Sequence, residues 1–92
     1  MILLNIKEST KEDAVLVLKE IISKKIFCEI GTRAYPRFSV YGVLEEGCDG
    51  TYSCNKYDEN LHENCFDLYF KLDNITEIYY DKKMETATIY LY

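Results

Sequence analysis

Only one stretch of this chain repeats its apolar residues at helical spacing, so whatever it folds into has a single helix to cover its sheet. Ser9 and Glu12 form an S-x-x-E capping box, a helix-start signal in which each side chain satisfies a backbone N–H of the first turn. Ala14, Val15, Leu18, Ile21 and Ile22 then recur at three- and four-residue steps to about Lys25, and Leu16 and Val17 widen the stripe. Glu12 and Asp13 near the start, with Lys24 and Lys25 at the end, complement the helix dipole.

The remaining apolar stretches read as strands. Ile2, Leu3, Leu4 and Ile6 make a short one, and Ile26 to Ile30 a second that ends at Gly31, before a turn at Thr32 to Pro36. From Arg37 to Leu44, Phe38, Val40, Gly42 and Leu44 alternate with Ser39, Tyr41 and Val43, the period-two pattern of a half-buried strand. Phe66, Leu68, Phe70 and Leu72 alternate in the same way. Asp73-Asn74 predicts a tight hairpin into Ile75 to Tyr80, and Thr86 to Tyr92 follows with Ala87, Ile89 and Leu91 facing the core.

The order β-α-β-β-loop-β-β-β predicts an α+β domain: an antiparallel sheet of about five strands with one amphipathic helix packed on one face. Ninety-two residues suit a single domain spanning 1–92. One helix leaves the other sheet face open, and that face receives Tyr41, Tyr69, Tyr79, Tyr90 and Tyr92, five of the nine tyrosines. Tyrosine is both a good strand residue and a good contact residue.

The loop of that order, Glu45 to Asp67, concentrates the charge. Glu45, Glu46, Asp49, Asp58, Glu59, Glu63 and Asp67 stand there against one base, Lys56, and leave the rest of the chain nearly balanced. A net charge of −5 argues against nonspecific nucleic-acid binding, which needs lysine and arginine against phosphate. The same charge suits attraction to a basic surface on another protein. A solvated loop kept for solubility would have the same composition.

Three cysteines and the only histidine share this segment. Cys48, Cys54, His62 and Cys65 form C-x5-C-x7-H-x2-C, a thiolate and imidazole set of the kind zinc takes, although without the short C-x2-C pair usual in structural sites. A cysteine nucleophile based on His62 is disfavoured, because neighbouring carboxylates raise a thiol's pKa. Cys28, in an apolar strand, reads as a small core residue. Arg33, Tyr35 and Arg37 place two guanidinium groups beside a ring, an arrangement that grips a phosphate or equally pairs with the acidic loop. The phosphate-loop, dinucleotide and H-E-x-x-H motifs do not occur, and no catalytic residue is assigned.

No basic stretch precedes an apolar core at the start, and no apolar run is long enough to span a bilayer, which leads us to expect a cytoplasmic protein in a bacterial host cell. In size, acidity and lack of catalytic motif the chain looks like phage anti-CRISPR proteins and the immunity proteins of nuclease toxins, a similarity of profile with no shared motif. The expected function is a non-enzymatic inhibitor, without cofactor, that blocks a nuclease or CRISPR effector carrying a basic surface. Monomer and homodimer are both compatible with this expectation. Its contact residues would be Glu45, Glu46, Asp49, Tyr52, Tyr57, Asp58, Glu59 and Glu63. The alternatives are an immunity protein for a nuclease toxin, or a zinc-stabilised interaction module built on the cysteine–histidine set.

Overall fold

The alternating stretches build a sheet wider than five strands, and it is not wholly antiparallel. In the computed structural model the backbone is described for residues 2–5, 11–35, 39–58 and 63–91, and side chains for 11–35, 39–54 and 68–91. The elements are β1 (Ile2–Asn5), α1 (Lys11–Ser23), β2 (Phe27–Thr32), β3 (Ser39–Glu46), β4 (Thr51–Asp58), β5 (Glu63–Lys71), a 3₁₀ turn (Leu72–Asn74), β6 (Ile75–Asp81) and β7 (Thr86–Leu91). The seven strands lie in the order β1-β6-β7-β2-β3-β4-β5. None of the described helices is long and apolar enough to cross a membrane.

The expected all-antiparallel sheet is corrected at β2 and β7, which pair in parallel, Phe27 opposite Thr86 through Thr32 opposite Leu91. The cause is the helix. Strands β1 and β2 are joined through α1, and a crossover of that kind returns the chain in the direction it left. The β6–β7 hairpin is inserted between the two, antiparallel to β1 on one side and parallel to β2 on the other. Side-chain alternation reports which face a residue takes and says nothing about the direction of the neighbouring strand.

Helix α1 buries Ala14, Leu18 and Ile21 among Ile30, Val40, Leu44, Ile78 and Ile89, with Val17 and Ile22 at the margin. Leu16, expected to widen the buried stripe, is exposed. The helix stops two residues earlier than expected. Ile26 N–H donates to Ile21 O at 3.0 Å and Lys25 N–H to Ile22 O at 3.1 Å, with Lys25 at φ 54°. That is a Schellman cap with lysine in the left-handed position glycine usually takes. Ser9 of the proposed capping box lies outside the described residues.

The expected acidic loop is mostly strand. Strand β3 continues to Glu46, and β4 and β5 pair from Thr51 opposite Lys71 to Asp58 opposite Glu63, with a register shift between Lys56 and Tyr57. The connection between β3 and β4 is a tight turn in which Thr51 N–H donates to Cys48 O at 3.1 Å and Gly47 N–H to Thr51 O at 2.8 Å. Asp49 and Gly50 both have positive φ, 55° and 70°, as a type I′ hairpin turn requires.

The hairpin expected at Asp73-Asn74 does not form. Strands β5 and β6 are not neighbours, and the 3₁₀ turn between them is held by Asn74 Oδ1 accepting from Lys71 N–H at 2.9 Å and by Leu72 N–H donating to Gly50 O at 3.2 Å. Four strands separate β5 from β6 in the sheet, roughly 24 Å if it were flat. Three connecting residues reach at most about 15 Å. The sheet must therefore coil until its β5 edge comes round towards β6. A second register shift, between Ile75 and Glu77, is the kind of irregularity that bends a strand for such coiling. Lys11, at the start of α1, forms an ion pair with Asp73 in this turn.

Candidate partner-binding surface

The type I′ turn sets the geometry of the acidic end. By reversing the chain within four residues it keeps Glu46 opposite Tyr52 and Glu45 opposite Ser53, so the two carboxylates stand at the end of the ladder on opposite faces of the sheet. Glu45, Glu46 and Asp49 are all exposed. Next to them Gly47, Cys48, Thr51, Tyr52, Ser53 and Tyr69 line a shallow cleft of about 320 Å³. Tyr69 is 66% exposed on its rim.

Tyr52 is corrected. It was expected as a surface anchor, but it is 2% exposed, inside the core with its ring 6.0 Å from that of Phe70. Positions 52 and 54 alternate with 51 and 53, so the tyrosine falls on the inward face with Cys54. Burial, and then the nearby Glu46 carboxylate, push the phenol's pKa up. Of the remaining expected contacts, Tyr57 and Asp58 end β4 and Glu63 opens β5, with their side chains outside the described residues, as is Glu59 altogether.

The proposed zinc set divides. Cys48 is exposed in the turn, while Cys54 is buried in the core. His62 and the side chain of Cys65 lie outside the described residues. Among the described residues no three histidine, cysteine or acidic side chains gather as a metal site. Burial raises the Cys54 thiol to about 11, and burial together with the nearby Cys54 raises Cys28 to about 12, so both are neutral thiols at ordinary pH.

Arg33 is committed elsewhere. Its Nε donates to Glu77 Oε2 at 2.8 Å, Nη2 donates to the Tyr79 hydroxyl at 3.2 Å, and the guanidinium carbon sits 4.3 Å from the centre of the Tyr90 ring. It pairs with β6 and not with the acidic end. Tyr35 is exposed, and Arg37 lies outside the described residues.

The outer sheet face carries Tyr41, Tyr69, Tyr79 and Tyr90, as expected, but unevenly, and Tyr92 lies outside the described residues. Tyr79 and Tyr90 are half-buried edge to face at 5.8 Å, whereas Tyr41 is 46% exposed. Beside Tyr41 lies a residue that reading the sequence missed. Phe27, 55% exposed, stacks on Tyr41 with ring centres 6.3 Å apart, and it is paired across the ladder with Val43, itself 37% exposed. The signal was present: Cys28 and Ile30 face inward, which places Phe27 and Glu29 on the outside.

No family model, no curated protein and no solved structure matches this chain.

Proposed function

We propose that the chain is a non-enzymatic inhibitor whose acidic end docks on a basic, nucleic-acid-binding surface of a nuclease or CRISPR effector. The supporting observation is that Glu45, Glu46 and Asp49 are all exposed at one end of the sheet, Glu45 on its outer face, Glu46 at the margin of the face that holds Tyr52, and Asp49 in the β3–β4 turn between them. Carboxylates fixed on a strand ladder can stand where a basic groove would hold phosphates, at little entropic cost on binding. A charge-led interface of this kind accelerates association and weakens as salt screens it. The role needs no cofactor.

The test is capture of a target by wild type and by a Glu45→Gln, Glu46→Gln, Asp49→Asn variant, at low and high salt. Binding that is lost with the carboxylates supports the proposal. A nuclease-toxin immunity protein would use the same surface, and the identity of the captured enzyme separates the two roles.

A further inference from the structure

The exposed outer face of β2 and β3 has a chemistry that the acidic end alone does not explain. Phe27, Tyr41 and Val43 form one apolar strip, with the two rings stacked and the valine directly across the ladder from the phenylalanine. Exposed aromatic side chains that touch one another on a sheet are uncommon on surfaces that meet only water. Carboxylates flank the strip, one beside it and one beyond its end. Glu29 lies opposite Tyr41, and Glu45 follows Val43 two residues along the same face. From position 41 to position 45 the strip runs about 13 Å, the length of roughly nine helical residues.

We infer that this strip is the seat of a basic amphipathic helix of the partner protein, its apolar side chains on Phe27, Tyr41 and Val43 and its lysines or arginines over Glu29 and Glu45. The inference rests on the reading of the acidic end as a docking site for a basic partner, and adds the element of that partner and where it lies. Charge selects this occupant over a second copy. Two copies of a chain with net charge −5 would bring Glu29 and Glu45 of one against those of the other, and like charges across an interface oppose association. Desolvated aromatic residues ringed by charge are the usual composition of the energetically dominant part of an interface.

The experiment titrates isotope-labelled full chain with a leucine–lysine amphipathic peptide of about 14 residues, four turns of helix. A scrambled peptide of the same composition is the control. Saturable binding should move the amide signals of Phe27, Glu29, Tyr41 and Val43. It should also weaken by about tenfold in a Tyr41→Ser, Val43→Ser variant, as loss of central contacts does. Both substitutions are at exposed positions, and the variant's own amide spectrum verifies its fold. Equal binding of the scrambled peptide, absence of saturable binding, or shifts mapping elsewhere would overturn the inference. So would sedimentation showing self-association abolished by the same substitutions, which would assign the strip to a second copy. Peptide binding here without any target captured would remove the inhibitor reading and leave the surface. Capture that survives Tyr41→Ser, Val43→Ser would do the reverse.

Discussion

Arg33 leaves the end of β2, reaches across β7 and donates its Nε to Glu77 Oε2 of β6 at 2.8 Å, with its guanidinium 4.3 Å from the centre of the intervening Tyr90 ring. It thereby ties together strands on both sides of the parallel β2–β7 pairing. Arg33→Ala is expected to lower the thermal midpoint at both low and high salt, because contact with the ring is screened less than the ion pair. Arg33→Lys should fall between the two, keeping the charge and losing the planar fork. Thermal scans at two salt concentrations decide. No change in either would mean that the cluster contributes nothing measurable.

The β3–β4 turn depends on Gly50 at φ +70°, where a Cβ would meet no other atom within 4 Å. Any cost of Gly50→Ala is therefore backbone strain alone, about 1 kcal/mol. Urea unfolding measures it. Gly50→Asn should cost less, since asparagine tolerates the left-handed region.

Lys25 holds the same conformation at the end of α1, and the Schellman hydrogen bonds around it are already made. Lys25→Gly should stabilise the protein by about 0.5–1 kcal/mol in the same assay, by removing the Cβ conflict at a position fixed by the cap. A destabilised variant would show that the lysine side chain contributes more than the strain costs.

The buried thiols predict an alkaline weakness. In the native protein Cys28 and Cys54 stay protonated up to about 12 and about 11, against an ordinary value of 9.0. The unfolded chain releases these protons first, so the stabilisation is complete below pH 9 and is lost as pH rises towards the native values. Each thiol should contribute a fall of up to about 1.4 kcal/mol per pH unit above pH 9. A Cys28→Ala, Cys54→Ala variant should show a shallower decline in unfolding free energy between pH 9 and 11. Among the described cysteines, Cys48 should react with a thiol reagent in the folded state, while Cys28 and Cys54 should react only on unfolding.

Periodicity made the helix and the inward faces legible. Leu18 and Ile21, Val40 and Leu44, and Ala87, Ile89 and Leu91 are buried as their spacing predicts. Direction and connection were not legible, because they follow from how strands are joined. The parallel β2–β7 pair is set by the α1 crossover, and the 3₁₀ turn at Leu72–Asn74 by the coil of the whole sheet. The β3–β4 hairpin was readable in principle from Asp49-Gly50, a dipeptide suited to positive φ at both positions. The run of charge around it gave the impression of a loop. Within the site, exposure of Glu45, Glu46 and Asp49 followed from their sequence, whereas Tyr52 was misplaced because its face depends on the register that this turn sets.

The most direct measurement is affinity capture from bacterial lysates with wild type and the Glu45→Gln, Glu46→Gln, Asp49→Asn variant, each at low and high salt, with the bound proteins identified and assayed. The account predicts that wild type retains and inhibits a nucleic-acid-acting enzyme at low salt, and that high salt or the three substitutions release it while the fold persists. Capture of no such enzyme, or retention undiminished by neutralising the three carboxylates, would contradict it.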